Sequence, residues 1–379
     1  MLIKRRSMLL GMIASTALAI GAAPTAKRPG LPDPLDVVTT PSDFARRGAV
    51  SGIARHGDQL IAVGPRGLIL VSTDAAKTWS QATSPVGTDL VTVKFQDANT
   101  AWAVGHDAVA LRTSDGGASW QKVLDGRLVL ALLRDNYAVR IKAGDPAAEK
   151  LLTEVDRAME QSATPNVLPS PFLDVWFADA NEGYLVGAFG LVLRTQDGGK
   201  QWEPIIDKTD NDRRFHMYAV TGNAAERYIA GEQGLLLRWD AAVSQFVKVE
   251  TPYAGTFFGM DVQGTRVVVF GLRGNVYIRT NITQAWTKLE TGTDANIVAA
   301  VNLADDQLVL AAQNGQLLWV QPDTQSVKAF KIPVMGEFLS AVASGPKSIS
   351  VAGLSGVSTM EVDGLMAALQ PSAAPLAKK

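Results

Sequence analysis

The chain has 379 residues, with 36 Lys+Arg against 37 Asp+Glu, three His and no Cys. A formal charge of −1 argues against a nucleic-acid binder, which needs a basic face to release counterions. Zero Cys removes disulfides, thiolate nucleophiles and thiolate metal sites at once, and His56, His106 and His216 alone do not make a His-rich one.

Lys4-Arg5-Arg6 precedes an apolar stretch from Met8 to Ile20, the basic start and short apolar core of an export signal. Residues 1–23 are therefore expected to be a signal peptide, cut after Ala19 or nearer Ala22. Arg5-Arg6-Ser7-Met8-Leu9-Leu10 also suits the twin-arginine route, so Sec and twin-arginine export both stay open. The expected destination is the periplasm, with no lipid anchor because no Cys follows. Pro-rich residues 24–34 read as a flexible spacer.

From residue 35 to 365 one unit repeats. Glycine-ending apolar runs fall at Gly64, Gly105, Gly187, Gly231, Gly271 and Gly353, with Ala312 filling the equivalent place. Their separations are 41, 82, 44, 40, 41 and 41 residues once Ala312 is included, so one link carries an insertion of about a period. Each copy reads as four short strands; in the second they are residues 91–95, 101–104, 109–113 and 120–123. A lone four-stranded sheet cannot bury both faces, so the expected fold is all-β, a seven-bladed β-propeller. Residues 366–379 are left as a C-terminal tail. Residues 35–41 look like a displaced fourth strand and are expected to latch the seventh blade, with 366–369 as the competing candidate.

The turn between strands three and four carries Asp74 and Trp79 in the first copy, Asp115, Gly117 and Trp120 in the second, and Asp197, Gly199 and Trp202 in the third. An Asp that caps backbone N–H groups, a Gly for positive φ and an aromatic plug make a structural turn. Its recurrence once per blade argues against a catalytic or calcium role. The insertion, residues 125–169, has two helical candidates. One is 128–141. The other opens at Asp145-Pro146 and repeats Leu151, Leu152, Val155 and Met159 at helical spacing. This helical pair would cover the channel mouth or dock a partner.

Turns between strands two and three share a face with the links between blades. That face is expected to collect His106, Asp107, Phe189, Glu232 and Arg273 from turns. The links should add Arg213, Arg214, Phe215, His216, Tyr253, Phe257 and Phe258. Arginine mixed with aromatics is hot-spot composition, so Arg213, Arg214, His216, Tyr253, Phe257, Phe189, Glu232, Arg273 and His106 are the candidate partner-binding set. The competing reading puts Phe257 and Phe258 in an inner strand as core. Catalytic residues, metals and cofactors are not expected.

The boxes Thr113–Trp120 and Thr195–Trp202 resemble those of Asp-box (BNR) repeat propellers. With Val186-Gly187-Ala188-Phe189-Gly190 and Arg194-Thr195-Gln196-Asp197-Gly198-Gly199 the chain resembles the photosystem II stability/assembly factor family, over residues 35–363. The resemblance implies an exported, non-catalytic propeller, monomeric on its own, that binds membrane-protein subunits and aids assembly. The insertion and residues 251–259 resemble a proteobacterial branch associated with RND-type exporters, which implies such a complex as partner. The family also binds through blade arginines; Arg112, Arg194, Arg238 and Arg279 hold the equivalent third-strand sites, unless they pair with carboxylates of neighbouring blades. Asp-box propellers include sialidases, so the alternative function is a glycan-binding or glycoside-hydrolysing propeller. The Arg-Ile-Pro segment of that group is absent.

Overall fold

In the computed structural model the described residues are 32–362, apart from 161, 163, 304–306, 322–325 and 333–335. The expected signal peptide, nearly all of the spacer, the C-terminal tail and the 366–369 candidate lie outside them. The described residues from Asp33 to Val362 belong to one compact unit.

That unit contains seven antiparallel sheets, each built from consecutive strands, six of four strands and one of three among the described residues. The second sheet has strands Leu90–Phe95, Ala101–Gly105, Ala110–Thr113 and Gln121–Leu124, within a residue or so of expectation. The first strands touch in chain order, and the first strand of the seventh sheet, Phe338–Gly345, packs on that of the first, Gly52–His56. The ring is thereby closed. The second strands are almost wholly buried, as in Ala101–Gly105 and Gly183–Gly187, because each lies between two neighbouring sheets.

The recurrent glycine has a steric cause. A β-carbon on Gly105 would lie 2.1 Å from the Asp89 carbonyl oxygen, and on Gly187 2.2 Å from that of Pro171. The same holds at Gly231 with His216 and at Gly271 with Thr256. Each is where the link entering a sheet crosses the end of the second strand. The next N–H then donates to that carbonyl, His106 to Asp89 at 2.9 Å and Glu232 to His216 at 3.1 Å. The spacing in the sequence therefore reports a repeated backbone crossing.

The Asp-box turns seal the seams between sheets. Thr113 Oγ1 donates to Asp115 Oδ1 (2.8 Å) and accepts from the Gly117 N–H (2.8 Å), while Asp115 accepts from the Ser119 N–H at 2.9 Å. The third copy repeats this with Thr195, Asp197, Gly199 and Gln201. Hydroxyl and backbone donation from Ser119 holds the Asp115 carboxyl down at about 2, and Thr78 does the same for Asp74. A lowered pKa means the contribution is present above the ordinary 3.8 and is lost as pH falls towards 2. Gly199 has φ +84°, and a β-carbon there would sit 2.4 Å from the Trp102 ring of the second sheet. The first copy makes the same turn with Ala75 and Ala76 at φ 57° and 67°.

The expected latch is not formed. Residues 34–36 are a single turn capped by the Asp33 side chain (Leu35 N–H to Oδ1, 3.0 Å). Leu35 is buried with Val86, Leu90 and Trp120, in the seam of the first two sheets. The Thr39 N–H donates to the Ser84 carbonyl at 2.9 Å, and Arg127 pairs with Asp33 and Asp36 at 2.9 Å each. The segment lies between the first and second sheets because that seam offers an apolar slot for Leu35. The last strand of the seventh sheet, Gly356–Glu361, pairs on one side only among the described residues.

Candidate functional site

The insertion forms two helices, α1 (Gly126–Lys142) and α2 (Pro146–Glu160). Asp125 caps α1 by accepting from the N–H groups of Arg127 (3.0 Å) and Leu128 (3.1 Å); Asp145 caps α2 through the Ala147 N–H at 2.9 Å. Val129, Leu130, Leu133 and Tyr137 of α1 join one core cluster with Leu151 and Val155 of α2 and with Leu191, Ile205 and Ile206 of the third sheet and its outgoing link. Arg140 fixes the arrangement by pairing with Asp145 and Asp207. The hairpin's apolar face lies towards the third sheet's flank, and none of its described residues lines the central channel.

Turns and links do converge on one face. Five turns place a non-glycine residue in the left-handed region: Arg66, Asp107, Phe189, Gln233 and Arg273, at φ 54–57°. The links brace them, as Asp89 accepts from the Arg66 N–H (2.7 Å) and Asn296 from the Arg273 N–H (3.1 Å). Of the candidate set, Phe189, Arg213, Arg214, His216 and Glu232 come together. The Phe189 ring meets the His216 ring edge-on at 4.8 Å. The His216 N–H donates to Glu232 Oε2 at 2.8 Å. Arg214 reaches back to Glu154 of α2 at 2.9 Å, and Arg213 stacks on Phe215 at 4.9 Å. Phe189 is 59% exposed. His106 and Arg273 are exposed on the turns of the second and fifth sheets, away from this group. Tyr253 packs on Tyr277 and donates its hydroxyl to the Leu272 carbonyl at 3.1 Å.

Phe257 corrects the expectation. It is fully buried among Tyr228, Tyr277 and Val269 and offers no surface. Phe258 is the half-buried one, on the wall of the channel. The register of this strand against its neighbour shifts between Phe257 and Gly259, a bulge that reverses which of the pair turns inward. Tyr218 was not in the candidate set. It continues the aromatic line from His216 (6.3 Å) to Phe258 (5.6 Å).

The third-strand arginines divide into two kinds. Arg194 pairs with Glu182 of its own sheet, which also takes Arg227 of the next, and Arg238 pairs with Glu226. Arg112 lies 5.9 Å from the Trp102 ring centre and Arg279 4.5 Å from that of Trp286. Of these, the Arg194–Glu182–Arg227 group joins one sheet to the next, while Arg112 and Arg279 keep guanidinium N–H groups without a hydrogen-bond partner among the described residues.

All seven first strands line the central channel, a cavity of about 710 Å³. Among the described residues its one acidic group is Asp174, beside Lys94, with Arg55 also on the wall. Asp174 Oδ2 accepts from the Val220 N–H of the fourth sheet at 3.0 Å, while its Oδ1 has no partner among the described residues. Burial pushes this carboxyl above the ordinary 3.8, against the opposing pull of Lys94 and the Val220 and Val175 N–H groups. A raised folded pKa gives stability that is full below 3.8 and is lost as pH rises through the folded value. Asp174→Asn keeps an acceptor for Val220 and removes the buried charge. It is expected to raise thermal stability at about pH 7.5, by roughly 1–3 kcal/mol, with little gain near pH 4; melting curves at the two pH values check this.

Residues 159–316 match the family model described as photosynthesis system II assembly factor YCF48, which begins at the end of α2 and ends in the sixth sheet. The photosystem II assembly lipoprotein Ycf48 of Synechococcus sp. (strain CC9902) is 34% identical over 65 residues, 17% of this chain and 20% of that one. The chloroplastic stability/assembly factor HCF136 of Cyanidioschyzon merolae is 35% identical over 81 residues, 20% and 18% of the two chains. The chain thus spans about a fifth of the length of these curated relatives. Two solved structures superpose over most of the chain. YCF48 bound to D1 peptide does so with TM-score 0.59 and 16% identity, over 84% of this chain and 94% of that one. The WD40 propeller domain of Doa1 does so with TM-score 0.58 and 9% identity, over 86% and 95%. Identities this low establish the fold alone, all-β and propeller-like. Residues 159–316, which run from the third sheet into the sixth, are thus similar to the photosystem II assembly factor family.

Proposed function

We propose that this protein is a non-catalytic binding and assembly factor, exported to the periplasm, that serves a membrane protein complex of the RND-exporter type. The relatives are named as assembly factors, and one of the similar structures is of a YCF48 holding a peptide of D1. The observation that carries the reading is Phe189, a large aromatic 59% exposed at the tip of a tight turn, with His216 against its ring and Arg214 lining the same cleft. Such an aromatic costs solvation unless a partner covers it, and arginine beside it supplies directional hydrogen bonds. The hydrolase alternative needs several arginines and paired carboxylates on the channel wall. Among the described residues that wall has one of each.

The test is co-purification from solubilised membranes. Phe189→Asp with Arg213→Glu is expected to abolish recovery of the membrane complex while circular dichroism and melting temperature stay at wild-type values. Recovery at wild-type yield would refute the assigned face. Cell fractionation checks the periplasmic placement.

A further inference from the structure

We infer that the cleft between the helical hairpin and the third sheet binds an amphiphile, an apolar chain ending in a carboxylate, of the class of the long-chain fatty acids. The cleft has a volume of about 520 Å³ and is walled by Leu133, Tyr137, Leu151, Val155, Phe189 and Leu191. Small-molecule sites run from roughly 300 to 1,000 Å³ with mostly apolar walls and few polar groups. The cleft shares Phe189 and Arg214 with the partner face proposed above, but its ligand is argued from Tyr137 and the cleft lining alone.

Two features distinguish the cleft from a packing defect. Tyr137 is fully buried, yet its hydroxyl has no hydrogen-bond partner among the described residues. Buried hydroxyls are nearly always paired, so an orphan on a residue that lines the cleft points to a group supplied from outside. The charged side chains around that phenol are Asp207, Arg140, Arg214 and Glu154, and the last two also line the cleft. The second feature is the charge of the lining. It holds Arg157, Arg214 and Glu154, two cations against one anion. Arg214 spends its Nε on Glu154 at 2.9 Å, whereas Arg157 is exposed and takes part in no ion pair among the described residues. A carboxylate head beside Tyr137 and Arg214 would accept the phenolic O–H and guanidinium N–H groups, while the chain lay along the leucines. A neutral head would forgo the charge-assisted bonds, and a cationic head would meet the arginines.

The experiment uses the full chain and three probes of equal chain length, dodecanoate and dodecyltrimethylammonium below their micelle concentrations and dodecanol below its solubility limit. Dodecanoate is expected to bind saturably by calorimetry and to raise the melting temperature. Dodecanol should bind at least about tenfold more weakly, the loss of one charge-assisted contact, and the cation should show no saturable binding. Tyr137→Phe should melt no lower than wild type without probe and yet bind dodecanoate about tenfold more weakly. That pairing is one a merely structural tyrosine would not give. Ala158→Trp, at a half-buried position lining the cleft, should block binding. No dodecanoate binding to the wild type, equal binding of the three probes, or wild-type affinity in Tyr137→Phe or Ala158→Trp would each overturn the inference. The probe series on the wild type decides even where a variant fails to fold.

Discussion

Replacing Trp102 with alanine is expected to cost about 3–5 kcal/mol of folding stability. Its indole is fully buried, stacked on Phe177 at 5.2 Å, edge-on to Trp202 at 5.8 Å, and held by a bond from Nε1 to Gln96 Oε1 at 2.9 Å. Phe177 and Trp202 belong to the third sheet and Trp102 to the second, so the cavity opens in a seam whose walls are β-sheet backbone and relax little. Gly199, whose missing β-carbon makes room for this ring, would face the void as well. Trp79, the half-buried aromatic of the first Asp-box, supplies the comparison: Trp79→Ala should cost less than half as much, because much of its surface is already in water. Denaturant midpoints at unchanged m-value measure both. A Trp102→Ala loss under about 1 kcal/mol would mean that the seam is not close-packed, and the account of box turns as seals would fail with it.

What could be read from the chain follows from the kind of constraint each residue meets. Gly105, Gly187, Gly231 and Gly271 were legible because one backbone crossing recurs and admits no β-carbon, so the same residue returns at the period of the sheet. The box residues were legible for the same reason. The two helices announced themselves by spacing and by Asp145-Pro146, but their apolar faces say only that something covers them. That they pack towards Leu191, Ile205 and Ile206, with none of their described residues on the channel wall, is a matter of which surface lies within reach. Leu35 misled because an alternating run beside a proline suits a strand and a capped turn equally; Asp33 decided it by taking the Leu35 N–H. Phe257 and Phe258 exchanged places because a bulge leaves no mark in the alternation of residues. Asp174 carried no signal at all: Leu-Asp-Val reads as a strand with one polar face, and the channel makes that face an interior.

The same logic of seams predicts the largest electrostatic effect. Glu182 accepts from the Tyr184 hydroxyl at 2.7 Å, from Arg194 Nε at 3.1 Å and from Arg227 Nε at 3.0 Å. Its side chain is 13% exposed and those of both arginines are 19% exposed. Burial alone would raise its pKa. The hydrogen bonds from Tyr184, Arg227 and Arg194 outweigh burial, and the carboxyl is held below the ordinary 4.5. Its contribution is therefore present above pH 4.5 and is lost as pH falls through the lowered value. Glu182→Ala strands two mostly buried guanidinium groups from adjacent sheets with no counter-charge between them, which costs about 3–5 kcal/mol at neutral pH. Glu182→Gln keeps the acceptor oxygen but not the charge and should fall between. Adding Arg227→Met to Glu182→Ala removes one of the stranded cations and should restore part of the loss, a coupling that thermal or denaturant unfolding of the wild type, Glu182→Ala, Arg227→Met alone and the double variant would measure. If the single and double variants lose stability additively, Glu182 is not the bridge between the third and fourth sheets. The closeness of Arg194 and Arg227 would then need another source of neutralisation, because two guanidinium groups held on one carboxyl at an inter-sheet seam repel each other once it is gone.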